Sequence, residues 1–400
     1  MNFLVVSAYY HPAEVYGGPV RSMHQRSLAL ARLGHTVNTL TTNANGAGDL
    51  PAFSTEPIMV DGLPVLYCPR FWFGMEKKPH YLFFSPSLKR WLKKLKPGDI
   101  DMIFVHAAWT DPARLTWIAS RRTGIPYIYY THGCFEPWAL NQKYWKKRLY
   151  WHLLESRIVQ GASGVVVCNS AEKQVLRDLG VTVPIRRIPW GINLSPDQRP
   201  SRPEAMEILS SLLQGQPYLL FLSRLHPKKG LDLLIPAFAT VAQEFPEWLL
   251  VLAGPDEEGT EALVRRQVAA HCLEDRVVFT GMVSGAMKHA LMSQGEFFVL
   301  PSYSEGFPMA VAEALGYGLP VVITTTCHMP EVEERQAGLV IPPEQGALTA
   351  SLRQMMRDEN LRRSCGHNAF ALAQEHFTWE RVAEQSLTFY QECIKNHSTV

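Results

Sequence analysis

The stretch NFLVVSAYYHPAEVYGGPVRSMHQRSLALARLGHTVNTLTT, residues 2–42, decides the fold class. It begins with an apolar run over 2–8 and continues through a loop that contains two adjacent glycines. A helical pattern and a second strand candidate over 35–42 follow. Strand, helix and strand in this order are typical of parallel sheets with helical crossovers. The stretch therefore predicts a β-loop-α-β unit.

The same pattern is repeated along the rest of the chain. Short apolar runs predict further strands at 101–107, 126–132, 164–170, 185–191, 218–224, 248–254, 276–281, 296–302 and 320–325. Between the two series, residues 193–205 are rich in proline, serine and charge, which predicts a linker. The pattern favours an α/β protein of two doubly wound domains. Ligands of such sheets bind at the carboxyl ends of the strands, so the cleft between the domains is the expected site.

Length and charge agree with two domains. Because 400 residues exceed one ordinary hydrophobic core, we expect a domain over 1–195, a second over 196–375 and a final helical segment over 376–400. Residues 1–195 carry 23 Lys and Arg against 12 Asp and Glu, a net charge of +11. The remainder carries 16 against 25, a net charge of −9. The basic character therefore belongs to the N-terminal half.

The composition predicts a cytoplasmic protein. The N-terminus has no positive segment before its apolar run, so we expect no signal peptide. No run reaches the roughly 18 apolar residues of a membrane-spanning helix. Seven cysteines without CxxC spacing indicate free thiols in a reducing compartment.

Two glutamates stand eight positions apart in SEGFPMAVAEA, residues 304–314. In a helix, Glu305 and Glu313 would be separated by about 12 Å along the axis. The two carboxyl groups of a glycosidase lie only about 5 to 9.5 Å apart, so this spacing argues against a simple acid and base pair. The two glutamates are therefore expected to hold different parts of one long ligand.

The residues between the glutamates suit an anion. Proline at the start of the predicted helix, and the free amides of its first turn, favour a diphosphate at Phe307 and Met309. A sugar hydroxyl at Glu305 and a ribose at Glu313 complete this interpretation. The spacing alone equally allows a helix-terminal charge at Glu305 and a solvated carboxylate at Glu313.

Two segments carry a family resemblance. SEGFPMAVAEALGYGLPVV (304–322) resembles the E-x7-E segment of the retaining GT-B glycosyltransferases of family 4, and SRLHPKKG (223–230) resembles their R…KG segment. HPAEVYGGPVRS resembles the family's glycine loop, THG (131–133) its histidine loop and HFTWERVAEQ (376–385) its closing helix. The likeness covers nearly the whole chain and is nearest to members that assemble bacterial surface polysaccharides. It implies two Rossmann-like domains facing across a cleft, with the final helix packing back toward the N-terminal domain.

The resemblance also implies roles for individual residues. Arg224 and Lys229 would neutralise the diphosphate leaving group. Glu305 would hold hydroxyls of the donor sugar in the same turn as Gly306, and Glu313 would hold the ribose. These residues, with Phe307 and Met309, form the expected donor site in the C-terminal domain.

Further contacts are implied in other loops. Gly17 and Gly18 would let the backbone approach the sugar or phosphate closely, although a tight strand-to-helix turn explains them equally well. His132 would contact the donor sugar near its reactive carbon; without the resemblance it reads as a satisfied core or loop histidine. Backbone groups of Met282 and Val283 are expected to read the nucleotide base. The expected catalytic set is therefore His132, Arg224, Lys229 and Glu305.

One loop departs from the family pattern. The family commonly has two glycines where this chain has Cys327 and His328, which leaves donor choice open. As metal ligands these two residues would need further partners, and none is evident. Nor do the fourteen histidines show HExxH spacing. We therefore expect neither a cofactor nor a metal, and a nucleoside diphosphate sugar as substrate.

Two basic stretches, residues 89–96 and 138–157, mix Lys and Arg with Trp and Tyr at helical spacing. Such helices lie on anionic membranes, which would suit an acceptor carried on a polyprenyl lipid. Alternatively, the aromatic residues face the core and the lysines are solvated. No nucleic-acid-binding module accompanies the charge, so no nucleic-acid partner is expected.

Together these observations predict a metal-independent, retaining glycosyltransferase at the inner face of the cytoplasmic membrane. It would move a sugar from a UDP-, GDP- or ADP-sugar to a growing glycan. A nucleotide-sugar 2-epimerase of similar fold is one alternative, distinguished by having no acceptor. A non-catalytic, two-domain sugar-binding protein is another, distinguished by binding free sugar without turnover.

Overall fold

The computed structural model describes residues 1–50, 56–71, 83–106, 108–141, 144–194 and 200–397. The chain forms two compact units, Met1–Gly191 with Trp379–Val400, and Ile192–Thr378. The changes between units thus fall a few residues from the predicted boundaries at 195 and 375. Residues 195–199 of the predicted linker lie outside the described residues.

The first unit is built on a mostly parallel sheet. Its strands are β1 (Asn2–Ser7), β2 (Thr36–Thr42), β3 (Ala44–Asn45), β4 (Gly48–Asp49), β5 (Ile58–Val60), β6 (Leu63–Cys68), β7 (Met102–His106), β8 (Tyr127–Tyr130), β9 (Gly164–Val167) and β10 (Ile185–Arg187). The spatial order is β10-β9-β8-β7-β1-β2-β6-β5, with β5 antiparallel to β6, while β3 and β4 pair separately. The central strands are buried on both faces, as expected for a parallel sheet covered by helices.

Helices connect these strands. They are α1 (Gly18–Arg32), α2 (Pro86–Lys94), α3 (Asp111–Thr123), α4 (Pro137–Asn141), α5 (Tyr144–Tyr150), α6 (Ser156–Gln160) and α7 (Ser170–Asp178), with a π-helical turn over Trp151–Glu155 between α5 and α6. Several begin with the expected signals: the Ser85 hydroxyl accepts from the Leu88 amide, and the Asn169 side chain accepts from the Glu172 amide.

The second unit is a fully parallel six-stranded sheet with helical crossovers. Its elements are α8 (Arg202–Leu213), β11 (Tyr218–Leu222), α9 (Leu231–Ala242), β12 (Leu249–Ala253), α10 (Thr260–Ala270), β13 (Val277–Gly281), α11 (Gly285–Gln294), β14 (Phe297–Leu300), α12 (Met309–Gly316), β15 (Val321–Thr324), α13 (Glu331–Glu334), β16 (Gly338–Ile341), α14 (Gln345–Arg357) and α15 (Glu359–His376). The strand order is β13-β12-β11-β14-β15-β16. The order reverses direction between β11 and β14, the kind of switch point at which open α/β sheets bind ligands.

The last helix, α16 (Trp379–His397), belongs to the first unit although it follows the second in sequence. Its Tyr390 is fully buried, with its ring 4.5 Å from that of Phe104. A Cβ on Gly191 would lie 2.4 Å from the Trp379 ring, so only glycine permits this packing. The helix is therefore part of the first unit's core.

Each of the eleven predicted strands has a counterpart in the structure, although Ala107, at the end of one, lies outside the described residues. The doubly wound α/β prediction is confirmed. The sequence did not predict β3 to β6 or β16, most of which are too short to show a period. Within the described ranges, no helix combines the length and apolar character needed to cross a membrane.

Candidate functional site

The turn after β11 packs closely against the residues that follow β14. Gly230 has φ of 70°, and a Cβ there would lie 2.0 Å from the carbonyl oxygen of Pro301. The amide of Tyr303 also donates a 2.8 Å hydrogen bond to the carbonyl oxygen of Lys228. The glycine of the KG pair is therefore required by close backbone packing, which brings two strand-end loops together.

This packing places Lys229 beside Glu305. Lys229 Nζ lies 2.6 Å from Glu305 Oε1, and the side chains are 11% and 8% exposed. Ser302 Oγ donates a 2.6 Å hydrogen bond to the same carboxylate oxygen, and the Glu305 amide donates to the carbonyl oxygen of Thr326. The result is a fixed, nearly buried ion pair at the carboxyl edge of the sheet. Two of the predicted residues are thus in direct contact.

Arg224 is placed differently. Its Nη1 lies 2.6 Å from Glu257 Oε1, in the loop after β12, and the guanidinium is mostly exposed. A Cβ on Gly254, where φ is 145°, would lie 1.9 Å from the carbonyl oxygen of Ser223, so the two loops are in close contact. An exposed ion pair contributes little to stability, so Arg224 can exchange Glu257 for another anion at small cost.

Glu313 lies on α12 and is paired with Lys288 on α11. Lys288 Nζ is 2.7 Å from Glu313 Oε2, and each side chain is about three-quarters buried. The apolar surroundings of Glu313 predict a partner for its carboxylate, because an unpaired buried charge is costly. Lys288 is not evident from the sequence, since nothing in the spacing of two separate helices shows which side chains meet.

The start of α12 differs in detail from the prediction. The helix begins at Met309, after Pro308, and the Met309 amide donates a 3.0 Å hydrogen bond to the carbonyl oxygen of Phe307. The Met309 amide, predicted to bind a diphosphate, is therefore engaged within the tight turn 306–309. Phe307 is buried, with its ring 5.9 Å from that of Phe377.

Met282 and Val283 follow β13, where the chain turns into α11. The side chain of Met282 is exposed and that of Val283 is half-buried. Gly281 precedes them with φ of 66°, a conformation that favours glycine. The predicted base-reading segment is thus an exposed turn at the carboxyl end of a strand.

Cys327 and His328 follow β15. Burial is the main cause that raises the pKa of the Cys327 thiol to about 12, with the Glu305 carboxylate adding to it. The thiol donates to the carbonyl oxygen of Leu300 over 3.5 Å. Cys327 therefore fills the core beneath Glu305. His328 is half-buried, with φ of 56°.

In the first unit, His132 follows β8 by two residues, has φ of 51° and pairs with the buried His106. Nδ1 of His106 and Nε2 of His132 lie 2.7 Å apart. Burial, followed by the Arg26 charge, lowers the pKa of His132 to about 3, and burial lowers that of His106 well below its usual value. Both rings are therefore neutral at pH 7. Nδ1 of His132 is buried without a hydrogen-bond partner among the described residues.

Gly17 and Gly18 begin α1 in the same unit. Gly17 has φ of 72°, and a Cβ on Gly18 would lie 2.4 Å from the Trp190 ring. That indole also makes an edge contact with His132, with ring centroids 5.8 Å apart. Trp190 thus brings Gly18 and His132 together. The sequence placed Trp190 only within a strand candidate and gave it no role.

Buried carboxyl groups also lie elsewhere in the first unit, among them those of Glu155 and Glu172. Burial raises the pKa of Glu155 and of Glu172 to about 7. Glu155 accepts hydrogen bonds from the Tyr129 hydroxyl and the Trp109 amide, while its Oε2 has no partner among the described residues. Neither carboxyl group was predicted, because an isolated glutamate in a helical stretch looks solvated.

Known proteins resemble this chain in sequence and in fold. The chain matches the family models Glycosyltransferase Family 4 over residues 16–196 and Glycosyl transferases group 1 over residues 208–371. It is 27% identical over 313 residues to alpha-monoglucosyldiacylglycerol synthase of Streptococcus pneumoniae, covering 76% of this chain and 67% of that protein.

It is also 26% identical over 368 residues to the GDP-mannose:cellobiosyl-diphosphopolyprenol alpha-mannosyltransferase of Komagataeibacter xylinus, covering 90% and 84% of the two chains. The crystal structure of Anabaena HepE in complex with UDP and glucose has a similar fold, with a TM-score of 0.73 at 20% identity. The match covers 98% of this chain and 100% of that chain.

Proposed function

The chain belongs to glycosyltransferase family 4 and has the GT-B fold, and we propose that it transfers a sugar, with retention, from a nucleoside diphosphate to a polyprenyl-linked glycan. The buried Lys229–Glu305 pair is the observation that carries this proposal. It supplies a fixed cation and a fixed hydrogen-bond acceptor at the strand ends where such sheets bind nucleotides.

The cations suit a diphosphate leaving group. Negative charge develops on the bridging oxygen as the glycosidic bond breaks, and a preorganised cation stabilises it most where water is excluded. Lys229 is nearly buried and held in place by Glu305, and Arg224 is an exposed cation whose present partner a phosphate can replace. These two side chains supply the charge compensation that a metal ion supplies elsewhere, so we propose metal-independent transfer.

The acids orient the rest of the donor. In the proposal, Glu305 accepts a hydrogen bond from a hydroxyl of the sugar, and Glu313 accepts hydrogen bonds from the ribose. Lys288 Nζ, 2.7 Å from Glu313 Oε2, holds this carboxylate in place. Nucleoside diphosphate donors occur among the similar proteins: one is named for GDP-mannose, and HepE was solved with UDP and glucose.

Retention is proposed to proceed by attack on the face that the diphosphate leaves. The acceptor oxygen bonds to the anomeric carbon, the bond from that carbon to the phosphate oxygen breaks, and the acceptor proton passes to the leaving phosphate. His132 offers a neutral ring whose buried Nδ1 can hydrogen-bond a sugar hydroxyl. This mechanism needs no covalent nucleophile.

Residues around α5 support a membrane-bound acceptor. Trp145, Leu149 and Leu153, spaced four apart, are 75%, 62% and 61% exposed, although Trp151 in the same stretch is buried. Lys146 and Arg148 lie exposed beside them, with the guanidinium of Arg148 over the Trp145 ring. An apolar ridge flanked by cations fits an anionic membrane surface, so we propose peripheral contact at the inner face of the cytoplasmic membrane. Gln142 and Lys143 of this stretch lie outside the described residues.

The other basic stretch, residues 89–96, fits the alternative in which the apolar residues face the core and the lysines are solvated. In α2, Leu88 and Leu92 are buried, Trp91 packs against the core, and Lys93 and Lys94 are exposed. This is an ordinary amphipathic helix with a solvated face. The membrane proposal therefore rests on α5 alone.

A thermal-shift experiment tests the donor site. UDP, GDP, ADP and free monosaccharides are each added to the wild type, to Glu313→Ala and to a control, Glu274→Ala, which alters an exposed acid in the same unit. We expect one nucleotide to raise Tm in the wild type and control but not in Glu313→Ala. Stabilisation by free sugar alone would instead support the binding-protein alternative.

Product analysis tests the rest of the proposal. With donor and a polyprenyl diphosphate-linked acceptor, the anomeric signal of the product should show the same configuration as the donor. Inversion would contradict the same-face mechanism. Donor consumption that is independent of acceptor would support the 2-epimerase alternative.

A further inference from the structure

Three side chains that could ligate a metal meet on the first unit. His11 lies in the loop after β1, His24 lies in α1 and Asp61 lies in the turn between β5 and β6. One ligating atom from each lies within 4.8 Å of the others. The residues are separated by 13 and 37 positions, so the fold alone brings them together.

Neighbouring groups fix two of these residues. The hydroxyl of Tyr10, which is fully buried, lies 3.2 Å from His24 Nδ1, so that Nε2 faces Asp61 over 2.8 Å. The Tyr67 hydroxyl donates a hydrogen bond to the backbone oxygen of His11. The contact between Tyr10 and His24 is of a kind common in metal-binding histidines, where a hydrogen bond to the second ring nitrogen orients the ring.

Asp61 is positioned by its turn. It has φ of 49° and is followed by Gly62 with φ of 83°, the backbone of a tight two-residue hairpin between β5 and β6. Its side chain is 63% exposed, so the carboxylate can move toward a ligand.

A hydrogen bond that only stabilises the fold would account for the proximity of His24 and Asp61, but not for the position of His11. The ring of His11 stacks on that of His24, with centroids 4.6 Å apart and planes 11° apart. Among the described residues, no hydrogen bond to either ring nitrogen of His11 is recorded, although the residue is half-buried. An imidazole beside a second imidazole and a carboxylate offers the ligand types that divalent transition metals bind.

We propose that His11, His24 and Asp61 form a site for a divalent transition metal ion of the zinc class. Two imidazoles and one carboxylate favour such an ion over Mg²⁺, which prefers oxygen ligands. Three protein ligands leave a position for water. The site lies in the first unit and does not depend on the proposed donor chemistry.

Binding requires a small contraction of the cluster. Zinc ligands at about 2.0 to 2.2 Å from the ion lie roughly 3.3 Å from one another, closer than the 4.8 Å that encloses this cluster. The exposed Asp61 side chain and the His11 ring supply this movement. The ion then ties the loop after β1, which leads to Gly17 and Gly18, to α1 and to the β5–β6 hairpin.

Calorimetric titration of the chelator-treated full chain with Zn²⁺, and separately with Mg²⁺, tests the site. We expect one equivalent of Zn²⁺ to bind and Mg²⁺ not to bind. His11→Phe keeps an aromatic ring stacked on His24 but removes its nitrogens, and Asp61→Asn keeps the size of the side chain. Each should weaken Zn²⁺ binding by about 10- to 100-fold, the loss typical even of outer-shell partners.

His271 and Cys272 in the second unit provide the control, because both are exposed and can bind zinc adventitiously. The variant H271A/C272S should bind Zn²⁺ like the wild type. Absence of Zn²⁺ binding by the wild type overturns the proposal. So does binding lost in H271A/C272S but kept in His11→Phe and Asp61→Asn. Tm measured without metal identifies a variant that fails to fold. If His11→Phe fails to fold, Asp61→Asn decides the test, because the Asp61 side chain is exposed.

Discussion

Lys229 Nζ and Glu305 Oε1 lie 2.6 Å apart although they are 76 residues apart in sequence, and both side chains are about nine-tenths buried. In such a pair each charge compensates the other, in a site where an unpaired charge would be costly. The pair exists because β11 and β14 are neighbours in the sheet and Gly230 lets their loops touch. Substituting Lys229 alone, or Lys229 and Glu305 together, therefore separates the effect of the pair on catalysis from its effect on stability.

We expect Lys229→Met to lower kcat for sugar transfer by about 10²- to 10³-fold, since it removes a preorganised charge from the leaving group. It should also destabilise the second unit by about 3 to 5 kcal/mol, because Glu305 stays buried without its partner. The double variant K229M/E305Q should recover stability without recovering activity. Steady-state transfer rates and thermal unfolding measure the two effects separately.

Lys228→Met is the matched control in the same turn, and it should change kcat by less than about threefold. If Lys228→Met and Lys229→Met lower kcat equally, the effect belongs to the turn's charge rather than to the Glu305 pair.

Gly230→Ala should destabilise the second unit by more than about 2 kcal/mol. The new Cβ would lie 2.0 Å from the Pro301 carbonyl oxygen, and alanine resists a φ of 70°. Gly215→Ala is the control, because Gly215 has φ of 78° and nothing within 4 Å of its Cβ position. It should lose only about 1 kcal/mol. Equal losses by thermal unfolding would show that backbone conformation, not close packing, determines the requirement at Gly230.

The sequence predicted the strands and the individual charged residues better than their pairings. Glu305 and Lys229 were both expected at strand ends, but only the strand order, with β14 beside β11, makes them neighbours. Lys288 was missed for the same reason, because residues on two separate helices have no common period. The His11, His24 and Asp61 cluster likewise depends on tertiary structure.

Helical spacing also could not decide which face of a basic helix is buried. From sequence alone, the aromatic residues of each basic stretch, 89–96 and 138–157, could face either a membrane or the core. In α2 the apolar residues are buried, whereas in α5 Trp145 and Leu149 are exposed. Only packing against the rest of the unit separates these cases, since the two sequences are similar in composition.

Glu155→Gln should stabilise the first unit at neutral pH but not at pH 4.5. The folded-state pKa of about 7 lies above the ordinary value of 4.5, so the unfolded state releases its proton first as pH rises. The wild type therefore loses stability between pH 4.5 and 7, by about 3 kcal/mol in total, and the amide avoids this loss. The difference in Tm between variant and wild type should grow across this interval and then stay constant.

The difference in Tm between Glu155→Gln and the wild type reports on Glu155 alone. His106 and His132, whose pKa values are lowered, remain neutral when folded, so they reduce stability as pH falls below about 6.5. This opposite trend is common to both proteins and cancels. The control, Glu380→Gln, alters an exposed carboxylate of the same unit and should change stability by less than about 0.5 kcal/mol at every pH. A Glu155→Gln difference that is flat from pH 4.5 to 8 would contradict the predicted protonation.

Trp145→Ser/Leu149→Ser should reduce sedimentation with vesicles that contain phosphatidylglycerol, because the exposed ridge of α5 then loses its apolar contact with the acyl boundary. Wild-type binding should weaken as salt rises, since Lys146 and Arg148 contribute charge attraction to anionic headgroups. Met206→Ser/Leu263→Ser removes comparable exposed apolar residues from the second unit and should bind vesicles like the wild type. Equal binding to phosphatidylcholine vesicles, or equal loss in both double variants, would exclude α5 as the membrane-facing surface.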